Sequence, residues 1–594
     1  MSRRPPAART RGARPGDADR GRAMFRLRFG FIIIAMVLSV FGARLVQLQG
    51  LDPNAYAAMA AAEGIVKVEL PATRGAIVDR NGVELASSID GMMIVGDPQM
   101  TRAHAAEIAT RLADEVGVDY FTVLDRLRRQ DTRFQYLARR VPATLATRVV
   151  RELTAEGYKG LSTRRDPMRD YPADDVAASL IGFIGEDEAL AGFERTFDEQ
   201  LSGVDGSTTY QVGAGNRIPL GENTTVNPVN GQDLVLTIDR DLQFYAQRVL
   251  AERVREVKGE SGTVIVMDTR SGEILAAADY PTFDANDPLG SPKEDLGVRS
   301  ASETYEPGSV QKVLTFASLI DAGKITPRTR LEVPESLRRN GHTVRDHWSH
   351  GDIRLTAAGA LAKSSNIGTI LAAEELGHEE LYDYLSKFGL GQHTDLGIRG
   401  ETRGVLPAPE TWSAIRHATI AFGQGLSVNA FQMTAAINAI ANDGVLVSPS
   451  LIQGKAVTDS GNEVGTDTTT RTRVVSEDAA RQTAEMMELV TDAEDGIAKV
   501  TNIPGYRVAG KTGTAQRVGK DCGCYDGTFT VSFGGFAPAD DARFTVYVMI
   551  QNPAKGYGGG SAAGPVFKKV MTHLLSKYAV PPTGTPDPAL PVEW

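Results

Sequence analysis

The feature that most constrains this chain is an uncharged run near its amino end, Phe29 to Ala43, FGFIIIAMVLSVFGA. At 15 residues it falls short of the roughly 20 that a helix needs to cross a bilayer. Leu27 before it and Leu45-Val46 after it lengthen the apolar stretch, and Arg28 and Arg44 at its edges can snorkel to the interface. Read as residues 25–46, the segment spans. The first 28 residues hold nine Arg, no Lys and two acids, Asp17 and Asp19, a net charge of +7. The positive-inside rule keeps such a tail in the cytoplasm and puts everything after residue 50 outside it. A cleaved signal peptide and a buried core helix are the alternatives. Only Phe41 and Ala43 offer a small-x-small cleavage pattern, and it is a poor one.

The formal charge of the whole chain is −10, so the residues beyond the tail carry −17. That excludes a nucleic-acid binder that relies on a globally basic surface. An apolar fraction of 42% is too high for a mainly disordered chain. Two Cys in 594 residues exclude a disulfide-dense scaffold and a four-Cys zinc site.

Residues 51–232 read as mixed α and β. Ile65 to Leu70 alternates like a strand, Arg74 to Gly82 reads as a strand ending in an Asn81-Gly82 turn, and 101–158 has the composition and spacing of a small helical subdomain. A second block opens near Asp233 with a helix over 239–258 and a hairpin, 264–268 and 273–278, around Ser271-Gly272. Helical stretches follow at 309–322, 356–374 and 476–491, then strands beyond residue 505 and a helix near 565–578. Strands at both ends with helices between them predict one α+β domain. From Pro581 the chain is Pro-rich and reads as a loose tail.

The sharpest local signal is YEPGSVQK, residues 305–312. Pro307-Gly308 break the chain and apolar residues at helical spacing follow, so Ser309 sits at or near a helix N-terminus with Lys312 about one turn on. A serine hydroxyl needs a base beside it to act as a nucleophile, and a lysine serves only if its pKa is lowered. By itself the pair also fits a capping serine and a solvated lysine. Two more pieces stand downstream, Ser364-Ser365-Asn366 and Lys511-Thr512-Gly513-Thr514; Ser-x-Asn also occurs at Ser427 and Ser460, whereas Lys-Thr-Gly occurs once.

The order Ser-x-x-Lys, Ser-x-Asn, Lys-Thr-Gly resembles the signature of the active-site-serine penicillin-recognising enzymes. Arg74-Gly75 with Asp79-Arg80-Asn81-Gly82, then Arg169-Asp170-Tyr171-Pro172, Gly182 to Gly185 and Gly192-Phe193-Glu194, resemble the pedestal motifs of class B penicillin-binding proteins, and Phe422 to Ser427 resembles a helix lead-in of their transpeptidase domains. The resemblance implies a cytoplasmic tail (1–24), a transmembrane anchor (25–46), an elongated mixed α/β pedestal of dimerisation type (47–232), a transpeptidase domain (233–580; an antiparallel sheet flanked by helices, serine β-lactamase-like) and a C-terminal tail (581–594).

By the same resemblance Ser309 attacks the carbonyl between the last two D-Ala residues of a peptidoglycan stem peptide and Lys312 takes its proton. Ser364 relays that proton to the leaving D-Ala, Asn366 holds the donor's amide, Lys511 adds positive potential, and Thr512, Gly513 and Thr514 bind the terminal carboxylate. The N–H groups of Ser309 and Thr514 form the oxyanion hole. β-Lactams acylate Ser309. No cofactor and no metal is implied; the implied partners are stem peptides, β-lactams, the membrane, an FtsW-type polytopic glycosyltransferase and other division proteins. An FtsI-like septal enzyme is the first reading and an elongation-type class B enzyme the second. A β-lactamase or β-lactam sensor and a non-catalytic division scaffold are the readings of another class; the short tail leaves a sensor no output domain.

His342, His347 and His350 in GHTVRDHWSH read as loop histidines, without metal-ligand spacing. Cys522 and Cys524 fall in the expected loop after Lys-Thr-Gly; a tight disulfide, two free thiols and a metal site stay open. Gly558 to Ser561 reads as a tight ordered loop, and Arg299 as structural.

Overall fold

The computed structural model describes residues 17–47, 65–185, 188–213, 216–217, 223–494, 496–519 and 523–594. The chain divides into two compact units, Met1–Leu70 with Asp205–Pro228, and Pro71–Val204 with Val229–Trp594. In the first, a helix runs Asp17–Val46, and its part Met24–Val46 is long and apolar enough to cross a membrane, with its large apolar side chains exposed. The same unit holds an antiparallel sheet in which Gly206–Gly213 lies between Ile65–Leu70 and Thr224–Val226, with Thr208 opposite both Val68 and Thr225.

The second unit begins with a sheet in which Leu234–Val235 runs parallel to Ile77–Val78, followed by Glu84–Ile89 and Met168–Asp170. The turn between the second and third of these strands is the expected one: Gly82 has φ +79°, and the Asp79 carboxylate accepts from the N–H groups of Asn81 and Val83. A charge cluster ties the sequence-distant motifs together. Glu194, wholly buried, accepts from Arg74 Nε at 2.7 Å and Arg169 Nε at 2.6 Å. Arg74 also reaches Asp198 at 2.6 Å.

The segment 101–158 differs from expectation. It is an α/β layer: helices Ala105–Val116, Tyr120–Arg128 and Ala143–Ala155 pack on a sheet with Gly91–Gly96 between Gln135–Pro142 and Leu161–Arg165. The strand Gln135–Pro142 hides in the sequence because its outward positions are Arg139 and Arg140, while Leu137, Ala138 and Val141 enter the core.

The remaining block is built on one sheet. Helix α1 (Arg240–Glu256) leads into strands β1 (Ser261–Asp268) and β2 (Ile274–Tyr280); helix α2 (Gln311–Asp321) follows. A small hairpin pairs β3 (Arg330–Val333) with β4 (Ile353–Thr356), then come α3 (Ala357–Ala362), α4 (Asn366–Ala373), α5 (Ala430–Ala441) and α6 (Glu477–Thr491). Strands β5 (Ala509–Val518), β6 (Tyr525–Ala537) and β7 (Phe544–Gln551) and helix α7 (Gly564–Lys577) complete it. The sheet order is β2-β1-β7-β6-β5, antiparallel throughout. β1 and β7 are buried along their whole length, which follows from helices on both faces. Val264, Val266, Val546 and Val548 join α1 and α7 in one core, and Ile265, Met267, Tyr547 and Met549 join α2 and α5 in the other. Gly559–Ala562, read as a loop, is a short helix.

The C-terminal segment is a strap, not the loose tail its composition suggests. Thr356 N donates to Val592 O at 3.0 Å, Leu355 and Glu593 form an antiparallel bridge, and Arg328 Nη2 donates to Ala589 O at 2.9 Å. The Trp594 ring lies under the guanidinium groups of Arg330 and Arg354, 4.7 and 5.1 Å from its centroid. A Cβ on Gly359 would stand 1.9 Å from Val592 O, so α3 admits only glycine there. Proline suits an extended strap, which needs few N–H groups of its own.

The Glu194 cluster makes a stability prediction. Glu194→Ala leaves the Arg169 guanidinium mostly out of water without its carboxylate and Arg74 with Asp198 alone, which costs about 3–5 kcal/mol. Chemical denaturation of the soluble part should show that loss; a change within experimental error would contradict a structural role for the cluster.

Candidate active site

Ser309 lies in a single 3-10 turn, Gly308–Val310, immediately before α2. Backbone packing fixes that turn. Gly308 has φ +55°, and a Cβ there would come within 2.9 Å of Thr514 O; Gly308 N donates to Gly423 O at 2.9 Å, and a Cβ on Gly423 would stand 2.0 Å from Gly308 O. The glycines of YEPGS and of FGQG are therefore needed for the same close approach.

Lys312, one turn further on, is wholly buried. Its Nζ lies 2.7 Å from Ser364 O, 2.8 Å from Asn366 Oδ1 and 3.4 Å from Ser364 Oγ. Burial pulls its pKa down to about 7, and the charge of Asp346 works against that fall. The two short contacts match the two N–H donors of a neutral amine, which leaves the lone pair free to accept a proton.

The expected helix over 356–374 is broken where Ser364 stands. Ser364 has φ +59°, a left-handed conformation that costs a non-glycine residue of order 1–3 kcal/mol. α3 ends at Ala362, with Lys363 as its C-cap, and Ser365 caps α4, its Oγ accepting from Gly368 N at 2.8 Å. The break turns Ser364 Oγ inward, where Lys511 Nζ donates to it at 2.9 Å. Ala-rich sequence on both sides conceals this break.

Lys511 is buried on β5, and its Nζ also contacts Thr512 O at 3.1 Å and Thr512 Oγ1 at 3.3 Å. Burial, and then the neighbouring Lys312, depress its pKa strongly. Two amines meeting at one hydroxyl titrate as a pair. Strand alternation sends Lys511 and Gly513 inward and sets Thr512 and Thr514 at the opening. A Cβ on Gly513 would lie 2.3 Å from Ser532 Oγ. The structure thus brings Ser309, Ser364, Asn366, Thr512 and Thr514 around one cavity of about 310 Å³, with the buried Lys312 and Lys511 reaching Ser364 on its wall.

Motif reading assigns no role at the site to several neighbours. His347 and Gln424 line the same cavity, and His347 is held below its ordinary pKa by burial and then by the two lysines. His350 Nε2 sits 3.1 Å from Asp346 Oδ2, whereas His342 lies in a separate short strand. Among the described residues no group of three His, Cys, Asp or Glu is arranged to hold a metal. Arg299 holds Asp295 and Glu303, each at 2.5 Å, the structural part expected of it.

Cys524 is disulfide-bonded; Cys522 lies outside the described residues. The next residue, Tyr525, donates to both Glu306 carboxylate oxygens, at 3.1 and 3.0 Å, three residues before Ser309. Burial and Glu306 raise the Tyr525 phenol to about 12.

Comparison with known proteins agrees with this geometry. Residues 262–572, more than half of the chain, match the penicillin-binding protein transpeptidase domain, and 69–236 match the penicillin-binding protein dimerisation domain. Penicillin-binding protein PbpB of Mycolicibacterium smegmatis is 35% identical, over 99% of this chain and 96% of its own. Peptidoglycan D,D-transpeptidase FtsI of Escherichia coli is 31% identical, over 94% of this chain and 92% of its own. The crystal structure of penicillin-binding protein 3 of Mycobacterium tuberculosis with aztreonam covers 89% of this chain and all of its own, at 31% identity and a TM-score of 0.68. A serine, two buried lysines and a Ser-x-Asn turn gathered on this sheet, in a chain that also carries the dimerisation domain, are those of a class B penicillin-binding protein, and to that D,D-transpeptidase family the chain belongs.

Proposed function

We propose that the protein cross-links peptidoglycan stem peptides during septal wall synthesis, through an acyl-enzyme on Ser309. The observation that carries the reading is the meeting of Lys312, Lys511 and Ser364 beside Ser309. Lys312, neutral above about pH 7, takes the serine proton as Oγ attacks the penultimate D-Ala carbonyl. Ser364 Oγ, within reach of both amines, passes a proton to the departing D-Ala. Asn366 holds the donor amide, and Lys511, Thr512, Gly513 and Thr514 receive the terminal carboxylate. β5 is the terminal strand of the sheet, so an extended peptide has backbone to pair with. The N–H groups of Ser309 and Thr514 receive the developing oxyanion. An amine of a neighbouring stem peptide then takes the acyl group, and a β-lactam in the same place stays attached.

The tail 1–24 stays in the cytoplasm, 25–46 anchors the chain, 47–232 forms the pedestal, 233–580 forms the catalytic domain and 581–594 is the C-terminal segment. The anchor and pedestal contact an FtsW-type glycosyltransferase and other division proteins. The dimerisation-domain match over 69–236 favours a wall synthase over a β-lactamase, which needs no pedestal. The septal role rests on that compact pedestal and on FtsI among the relatives.

Three measurements test this. A fluorescent penicillin should label the full-length protein in detergent and fail to label Ser309→Ala; equal labelling of the variant would reject Ser309 as the nucleophile. The rate of that acylation should rise with pH through about 7, because only the neutral Lys312 amine accepts the proton. A rate constant well into the acid range would remove Lys312 from the role of base. A fluorescent fusion should gather at midcell, and uniform side-wall placement would overturn the septal assignment in favour of elongation.

A further inference from the structure

Asp346 is a fully buried carboxylate at the site that no motif names. It follows the short strand His342–Val344, and its side chain has 0% exposure. Three groups donate to it and a histidine ring faces it. Ser365 Oγ donates to Oδ2 at 2.6 Å, Asn366 N to Oδ1 at 2.5 Å, Ile367 N to Oδ1 at 3.0 Å, and His350 Nε2 faces Oδ2 at 3.1 Å. The two backbone donors belong to the first turn of α4, whose N–H groups have no partner within the helix. Ser365 caps Gly368 N from inside the chain; Asp346 completes the cap from outside it and sets a negative charge at the positive end of the helix.

The residue beside it fixes the neighbouring side chain. Arg345 O accepts from Asn366 Nδ2 at 3.2 Å, which turns Asn366 Oδ1 toward Lys312 Nζ. The segment Arg345-Asp346 thus braces both sides of the Ser-x-Asn turn. Such a brace has a physical reason to exist. A left-handed Ser364 persists only where its surroundings over-determine it; the two lysines hold its own oxygens from one side, and Asp346 holds Ser365, Asn366 and Ile367, the residues that follow it, from the other.

We infer that Asp346 is a positioning residue for acylation, holding Ser364 and Asn366 in register with Lys312. The inference rests on the acyl-enzyme reading above and adds a residue to it. Asp346→Asn separates position from bulk. It keeps the size and one carbonyl oxygen for the α4 N–H groups, but its amide nitrogen cannot accept from Ser365 or His350. Loss of register by about an ångström slows acylation of Ser309 about a hundredfold.

The charge makes a second, independent mark. The titratable groups facing Lys312 are Asp346 and His347 from this segment and Lys511 from β5, with His350 behind Asp346. Asp346 is the anion among them, and it favours the ammonium form of Lys312. Its removal therefore moves the acid limb of the acylation profile to lower pH.

The experiment measures acylation of the full-length protein by a fluorescent penicillin across pH, with thermal unfolding, for the parent, Asp346→Asn and Asp346→Glu. Support is a slow Asp346→Asn protein with a near-parental melting temperature and a displaced acid limb. Asp346→Glu should restore the limb while remaining slow, and it serves alone should the Asn variant fail to fold. Parental acylation by Asp346→Asn, or a slower rate that merely follows lost stability with the limb unmoved, overturns the inference. A parent that no penicillin labels overturns the acyl-enzyme reading itself.

Discussion

Two buried amines meet at one serine hydroxyl, and much of the catalytic block serves to make that tolerable. Lys312 and Lys511 come from opposite directions, one from the first turn of α2 and the other from the terminal strand β5. Among the described residues neither has a carboxylate within salt-bridge distance. Desolvation then favours the neutral amines, and the mutual repulsion of two ammonium groups acts in the same direction. The Lys312 amine is thereby brought down to about 7, against the opposing charge of Asp346, so it changes its protonation state near neutrality.

Close backbone approach is the second requirement. Gly308 against Thr514, Gly423 against Gly308 and Gly513 against Ser532 each leave no room for a Cβ. Together they bring the serine turn, the FGQG loop and β5 to a common edge. The glycines that look like punctuation in the sequence are contact points between elements far apart in the chain.

The sequence made the motifs legible because Ser309, Lys312, Ser364, Asn366 and Lys511 occur in short patterns whose order is itself informative. It made β1 and β7 legible because strands buried on both faces read as unbroken apolar runs. It left Asp346, His347 and Gln424 without a place at the site, because no periodicity encodes their contacts. It hid the break at Ser364, since alanines on either side favour one continuous helix and the tertiary contacts of Asp346 and Lys312 override that preference. It hid the strand Gln135–Pro142 behind its outward arginines, and it turned the strap into a loose tail, because proline-rich sequence reads alike whether it is solvated or docked.

That docked segment changes how the β3–β4 hairpin meets its surroundings. A two-stranded ribbon has two open edges, each a row of unpaired N–H and C=O groups to which another chain can add. β4 is paired with β3 on one side and with residues 592–594 on the other. The chain thus closes its own edge with its own strand, a few residues upstream of Ser364. Removing or displacing those last residues would reopen an unpaired strand edge next to the structure that carries the Ser-x-Asn turn, and a second copy of the chain could then add to it.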